Sequence, residues 1–259
     1  YEISECLVGS EMCIRDRDTT RYGEDIYGKS MLPELLTALC EIDGFKWIRT
    51  LYCYPERITD ELLDVIAKED KLVKYLDMPI QHCDKTILKR MNRHGDRETL
   101  TALIKKIREK IPNVTLRTTL ITGFPGETEE QFEELCEFVK EIRFERLGCF
   151  AYSPEEGTPA EKFEDQVPLK DRERRAEIIM EEQMIISDSL NEAALDSEVE
   201  VVCEGFDRYA ECYYGRSQAD APEIDGKIFF LSEDKVRVGE YVKVKIDDTM
   251  DYDLIGSKM

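Results

Sequence analysis

The sequence is poor in the spacings that hold metals. Its 259 residues include nine cysteines and two histidines, His82 and His94. No two cysteines stand in a C-x-x-C pair, the spacing typical of zinc and cluster sites. Free thiols packed as small apolar side chains in a reducing compartment are the expected state of these cysteines. We therefore predict no metal site within this chain.

Long apolar runs and an excess of positive charge are also absent. The sequence has no run of eighteen apolar residues, the length needed to cross a bilayer, so we expect no membrane contact and a cytoplasmic location. Asp and Glu number 57 against 36 Lys and Arg, a formal net charge of −21. A nucleic acid backbone favours Lys and Arg through counterion release, so strong nucleic-acid binding is not expected. The charge favours a basic partner, or serves solubility alone.

What the sequence contains is an alternation of short apolar runs and helical patterns from about residue 30 to residue 152. This order predicts an α/β fold with parallel strands and right-handed crossovers, as a sheet or a barrel. A helix of about twenty-five residues follows, and then short strands without helices, which predict a small antiparallel β-barrel. We place the two units at 18–182 and 183–259. Residues 1–17 fit neither pattern, and we expect them to be a foreign or artefactual segment.

The stretch TTLITGFPGETEEQFEEL, residues 118 to 135, joins a β-branched strand to an acidic helix. Ligands of parallel sheets bind beyond the carboxyl ends of the strands, so this junction is a candidate site. Gly123 would let a ligand approach the backbone, and Thr128 with Gln131 predicts a capping box. The acidic first turn would repel a phosphate at the helix end. No G-K-[ST] is present, which argues against a nucleoside triphosphate loop.

Seven segments, taken together in their order, resemble one family. They are DTTRYG (18–23), LYCYP (51–55), MPIQH (78–82), RMNRHG (90–95), RTTLITGFPGETEEQF (117–132), FAYSPEEGTPA (150–160) and QVPLKDR (166–172). They resemble the methylthiotransferases of the radical S-adenosylmethionine (SAM) superfamily, and within it the RimO branch, which modifies an aspartate of small-subunit ribosomal protein twelve. The resemblance covers residues 18–259.

The resemblance implies a partial (βα) radical-SAM barrel followed by a TRAM-like, OB-like β-barrel. It also implies SAM and two 4Fe-4S clusters as cofactors of the full-length family, which use SAM to generate a radical that prepares an unactivated carbon for methylthiolation. The family's C-x-x-x-C-x-x-C loop, its first barrel strand and its first domain would precede DTTRYG and are not found. We therefore expect a fragment that holds neither cluster by itself.

The resemblance further implies a set of cofactor-binding residues at the strand ends, in which carboxylate, hydroxyl, amide and guanidinium groups meet the polar parts of SAM. Gln81 and the segment from Ile121 to Gly123 are the strongest candidates. The alternatives are that Gln81 caps a helix, that His82 is structural, that Arg117 pairs with an acidic neighbour and that Tyr152 belongs to the core. The complete set is Asp18, Thr19, Thr20, Gln81, His82, Arg117, Thr119, Ile121, Gly123 and Tyr152.

The expected partner is a basic ribosomal protein of the small subunit. Residues 198–259 contain 15 acidic and 8 basic residues, whereas an RNA-binding barrel should be basic. An acidic barrel suits a basic protein, because opposite potentials steer the encounter. Two alternatives stay open: the sister branch that methylthiolates an adenosine of transfer RNA, and a non-catalytic acidic module that binds a protein.

Overall fold

A computed structural model describes residues 11–259. Within this range the helices are α1 (Glu24–Tyr27), α2 (Leu32–Cys40), α3 (Asp60–Lys68), α4 (Lys85–Arg90), α5 (Arg97–Lys110), α6 (Glu129–Ile142) and α7 (Leu169–Glu192). The strands are β1 (Glu11–Arg15), β2 (Trp47–Leu51), β3 (Tyr75–Asp77), β4 (Thr115–Thr122), β5 (Arg146–Ala151), β6 (Glu198–Asp207), β7 (Cys212–Arg216), β8 (Ile228–Leu231), β9 (Tyr241–Met250) and β10 (Asp253–Lys258).

The first unit is a curved row of parallel strands. β1 pairs with β2, and β3, β4 and β5 form a second parallel group. A parallel bridge between Ile48 and Leu72 joins the two groups. Helices follow β2, β3 and β4, as expected when parallel strands need crossover connections. The predicted α/β architecture is thus confirmed.

Strand β1 lies in the segment that we expected to be foreign. It pairs in register with β2, from Glu11 opposite Trp47 to Arg15 opposite Leu51. It therefore fills the position beside β2, although its sequence has no clear period. Residues 1–10 of that segment lie outside the described residues.

Helix α6 shows how the sequence fixes an element. Thr128 accepts a hydrogen bond from the Gln131 backbone N–H and Gln131 accepts one from the Thr128 N–H, so the predicted capping box is confirmed. The helix buries Leu135, Phe138 and Ile142 at spacings of three and four, against the sheet. Burying each such side chain contributes roughly 1.5–3 kcal/mol.

The second unit is a closed barrel with the strand order β10-β8-β7-β6-β9. Its neighbouring strands are antiparallel except for β10 and β8, which run parallel. Helix α7 leads into this barrel and ends at Glu192. Residue 183, where the second unit was placed to begin, therefore lies inside the helix.

None of the helices in residues 11–259 combines the length and the apolar character needed to cross a membrane.

Candidate active site

A cavity of about 530 Å³ lies at the carboxyl ends of β3, β4 and β5. This volume is within the range of small-molecule sites, roughly 300–1,000 Å³. Four of the predicted residues line it: Gln81, Thr119, Ile121 and Tyr152. They come from three separate strand ends, where the chemistry of parallel sheets is expected.

Backbone pairing places Gln81 beside the cavity. Its N–H donates to the Thr119 carbonyl at 2.8 Å, and the Ile121 N–H donates to the Gln81 carbonyl at 2.8 Å. These bonds extend the pairing of β3 with β4 beyond Asp77. Gln81 adopts a φ of 75°, an uncommon conformation for a residue with a side chain. The surrounding pairing holds this strained residue in place, a feature that clusters at functional sites.

The opposite wall of the cavity is aromatic. The Phe124 ring meets the Tyr152 ring edge to face at 5.0 Å between centroids, and Ile121 packs against this pair. Tyr152 is 8% exposed, and its hydroxyl has no hydrogen-bond partner within residues 11–259. Burial raises the pKa of this hydroxyl, so it stays a donor at neutral pH.

These residues fit an adenosyl ligand. A flat base suits the apolar wall of Ile121, Phe124 and Tyr152, because aromatic and aliphatic faces bury a π system at low cost. The Gln81 amide and the Thr119 and Tyr152 hydroxyls supply donors and acceptors for ribose or ring nitrogens. Apolar walls with a few convergent polar groups are the usual composition of cofactor sites.

Gly123 packs against helix α7. Its φ is +68°, and a Cβ added there would lie 2.8 Å from Cβ and 2.9 Å from Cα of Arg172. The guanidinium of Arg172 continues past Gly123 to donate to the carbonyls of Tyr152 and Val167. The lack of a side chain at Gly123 admits the first turn of α7. Gly123 does not line the cavity, and contact between its backbone and a ligand stays a prediction.

His82 is fully buried beneath the loop that follows β4. Its Nδ1 accepts from the Asp84 N–H at 2.9 Å, and its Nε2 lies 3.1 Å from Glu127 Oε1. With Nδ1 accepting, Nε2 carries the proton and donates to Glu127. The other oxygen of Glu127 accepts from the Gly123 N–H at 2.7 Å and from Arg175. His82 thus supports the loop from below, the structural alternative considered above, and does not line the cavity.

Asp18, Thr19 and Thr20 follow the carboxyl end of β1 but do not line this cavity. Asp18 accepts from the N–H and hydroxyl of Thr20, and its other oxygen lies 3.4 Å from Arg57. The Thr19 hydroxyl donates to the Leu51 carbonyl. Burial raises the pKa of Asp18, against the lowering effect of the Thr20 hydroxyl. The Thr19 and Thr20 hydroxyls and Asp18 Oδ1 fix the turn, whereas Asp18 Oδ2 is buried without a hydrogen-bond partner within residues 11–259.

Arg117 lies toward the amino end of β4, away from the cavity. It pairs with Asp77 at 2.8 Å and approaches Asp225 of the second unit at 3.5 Å. This is the pairing with an acidic neighbour that the sequence left open. The geometry gives no support to contact between Arg117 and a ligand at the strand ends.

Other cavity residues received no role from the sequence. Arg90 and Arg93 line it beside Phe150. Arg93 stacks on Tyr54 and donates to the Pro79 carbonyl at 3.0 Å, while Arg90 pairs with Asp165 at 2.7 Å. The signal that could have found the arginines is the RMNRHG segment, in which Arg90 is the last residue of α4 and Arg93 follows that helix.

Residues 11–259 contain no group of three His, Cys, Asp or Glu side chains arranged to hold a metal ion. The eight cysteines of this range are free. The described residues therefore do not fit an iron–sulfur cluster.

Comparison with known proteins identifies the two units. The family model described as the radical SAM superfamily matches residues 22–139, and that of the TRAM domain matches residues 197–258. Residues 22–139 are thus a radical SAM region and residues 197–258 a TRAM region. The resemblance stated from the sequence is confirmed, and so is the order of a radical SAM barrel and a TRAM barrel.

The chain is similar to proteins named ribosomal protein uS12 methylthiotransferase RimO. It is 50% identical to the Lachnoclostridium phytofermentans protein over 95% of this chain and 56% of that protein. It is 48% identical to that of Clostridium botulinum strain Okra over 95% of this chain and 55% of that protein. The radical SAM chain thus spans about 55% of the length of these curated relatives, in line with the expectation that it represents part of such a protein.

Solved structures give a weaker likeness. The radical SAM enzyme coproporphyrinogen III oxidase (HemN) from Escherichia coli matches with a TM-score of 0.46 and 24% identity, over 61% of this chain and 36% of that one. The radical SAM methyltransferase TsrM from Kitasatospora setae matches with a TM-score of 0.42 and 16% identity, over 54% of this chain and 27% of that one.

Proposed function

We propose that this chain supplies the SAM-binding barrel and the TRAM domain of a methylthiotransferase that modifies an aspartate of ribosomal protein uS12. The observation that carries the proposal is the convergence of Gln81, Thr119, Ile121 and Tyr152 on one cavity at the strand ends. The RimO relatives support the reaction and the substrate. A ribosomal substrate implies a cytoplasmic location.

In this proposal the residues of the cavity bind and orient SAM. Ile121, Phe124 and Tyr152 enclose the adenine and exclude water, while Gln81 and Thr119 hydrogen-bond the ribose. When bound and reduced by its cluster, SAM supplies the radical chemistry for which the superfamily is known. Asp18, Thr19, Thr20, His82, Arg117 and Gly123 are left out of direct contact, because none of them lines this cavity.

The two 4Fe-4S clusters of the full-length family are assigned to parts of the protein other than residues 11–259. The described cysteines support this, because they are free and dispersed. We therefore assign SAM binding and substrate docking to this chain.

The acidic TRAM domain supports a protein substrate over transfer RNA. Its 15 acidic residues against 8 basic ones in residues 198–259 would repel a phosphate backbone. The same charge attracts a basic ribosomal protein and speeds association.

Isothermal titration of the purified chain with S-adenosylhomocysteine tests the cofactor site without any cluster. Thr119→Val removes a hydroxyl at the cavity and should weaken binding about fivefold, the effect of one lost hydrogen bond of about 1 kcal/mol. Thr115→Val makes the same change on the same strand away from the cavity and should leave binding unchanged. Equal binding by both variants and the wild type would exclude this cavity as the SAM site.

A further inference from the structure

A second cavity of about 590 Å³ lies between the inner face of β5, helix α7 and the β9–β10 turn of the TRAM barrel. We call it the β5 cleft. Phe150, which is 61% exposed, lines both this cleft and the cavity at the strand ends. The two cavities therefore meet at Phe150, and a bound chain could occupy both.

The rim of the β5 cleft is acidic and aromatic. Tyr252 is 42% exposed on the β9–β10 turn, between Asp251 and Asp253. Burial, and then the charges of Asp188 and Asp251, raises the pKa of Tyr252. Within residues 11–259 the Asp251 carboxylate has no ion-pair partner. An aromatic ring next to carboxylates suits a Lys or Arg side chain, because the cation can contact the ring face and hydrogen-bond the carboxylates.

The floor of the cleft contains an unused hydrogen-bond acceptor. Gln183 is 1% exposed, and its amide nitrogen donates to the Phe144 carbonyl at 3.0 Å and to the Ser187 hydroxyl at 3.1 Å. Its Oε1 is buried without a hydrogen-bond partner in the described part of the chain. Such a buried acceptor costs free energy unless a donor reaches it.

Deeper charges of the cleft are already paired. Arg146 bonds Asp220 at 2.6 Å, and Asp225 accepts from the Tyr75 hydroxyl at 2.6 Å. The acceptors and ring left for a ligand are the Asp251 carboxylate, the Gln183 carbonyl and the Tyr252 ring, which favour a cationic hydrogen-bond donor over an anion. Arg146 Nε is also buried without a hydrogen-bond partner in the described residues, and it can donate to a backbone carbonyl of a bound peptide.

We propose that the β5 cleft binds a basic side chain of the substrate protein and so places the target aspartate in the cavity at the strand ends. This inference rests on the proposed function and adds a specificity site to it. The cleft extends from Arg146 to Phe150 along β5, about 13 Å at 3.3 Å per residue. An extended substrate would therefore carry its Lys or Arg roughly four residues from the modified aspartate.

Fluorescence anisotropy with two labelled probes tests the proposal. The probes are purified uS12 and a nine-residue peptide with one arginine four residues from a single aspartate. Asp251→Asn keeps a residue type that tolerates the observed φ of 51°. This change and Gln183→Met should each weaken binding of both probes about fivefold, as expected for losing one charged contact or hydrogen bond. Circular dichroism verifies the fold of each variant.

Asp247→Asn is the matched control, because Asp247 is exposed on β9 and does not line the cleft. Loss at Asp251 and Gln183 but not at Asp247 supports the cleft. Binding of uS12 that none of the three changes alters overturns the cleft and leaves the proposed substrate standing. Binding of the peptide alone, sensitive to Asp251, supports the cleft and overturns uS12 as the substrate. Failure of both probes to bind the wild-type chain overturns both.

Discussion

At the scale of single residues, replacing Gly123 tests how much a steric clash with Arg172 costs. Gly123→Ala places a methyl group against the backbone of Arg172, in addition to the cost of a φ of +68°. Gly28 has a similar φ of +70°, but the methyl group of Gly28→Ala would have no atom within 4 Å. We expect Gly28→Ala to cost about 1 kcal/mol of the free energy of unfolding, and Gly123→Ala roughly 2 kcal/mol more. Urea titration followed by circular dichroism measures both.

The test is the difference between the two alanine variants in the free energy of unfolding that each loses. Equal losses would mean that α7 moves away from β4 without cost, so that the contact between Gly123 and Arg172 does not determine the choice of glycine.

The buried thiols give a second prediction. Burial raises the pKa of the Cys53 and Cys83 thiols to about 12, and the thiolate is the reactive form. At pH 8 the native chain should therefore leave both unlabelled by iodoacetamide, and unfolding in guanidinium chloride should expose them. Peptide mass spectrometry identifies the labelled positions. Fast native labelling of Cys53 would show that the sheet around it opens.

Residue roles were harder to predict from the sequence than residue positions. Arg117 and Gly123 lie on or next to the expected strand, yet their surroundings come from segments 50 to 110 residues away, Arg172 and Asp225. No local pattern reports such neighbours. Gln81 and Ile121 were predicted to line a site from the family resemblance, and both lie at the ends of parallel strands, where ligands of such sheets bind.

At the scale of elements, the loop between β4 and α6 depends on Glu127. The sequence indicated only that Glu127 sits near the positive end of a helix. The structure turns its carboxylate inward, where it accepts from His82, the Gly123 N–H and Arg175. It thereby joins β4, α6 and α7 at one buried point.

Glu127→Gln should therefore be costly. It leaves the largely buried guanidinium of Arg175 with only Glu129 as a charged partner. We expect a loss of roughly 3 kcal/mol in the free energy of unfolding, typical of breaking a buried ion pair. Glu130→Gln, an exposed change in the first turn of α6, should stay within about 0.5 kcal/mol. Chemical denaturation of the two variants side by side measures this. Comparable losses would mean that Glu127 acts only through the helix dipole.

Elements with strong local signals were predicted well, and elements that depend on partners were not. Thr128 caps α6 as expected, because a cap needs only neighbouring backbone. β1 was missed because its residues, EMCIR, follow no clear alternation. Its pairing with β2 and the ion pair between Glu11 and Arg49 hold it, and Arg49 is distant in sequence.

At the scale of the whole molecule, the two barrels are joined through buried charge. A loop between β7 and β8 of the TRAM barrel places Asp220 beside Arg146 and Asp225 beside Tyr75 and Arg117, at the amino ends of the radical SAM strands. Because these partners are largely buried, separating the barrels would expose or strand charged groups. The orientation of the TRAM domain relative to the cavity, on which the β5 cleft also depends, is thus held by these ion pairs together with an apolar cluster that includes Trp47 and Val202.

This arrangement predicts that the barrels unfold together. Calorimetry of the wild-type chain should show one transition, since neither barrel can unfold without stranding charges in the other. Asp220→Asn removes the negative partner of Arg146 and should separate the trace into two transitions, with a loss of roughly 3 kcal/mol from the less stable barrel. Asp234→Asn, on an exposed pair with Lys258, should leave a single transition near the wild-type temperature. A single, unshifted transition in Asp220→Asn would instead assign the coupling to apolar contacts such as Trp47 against Tyr241.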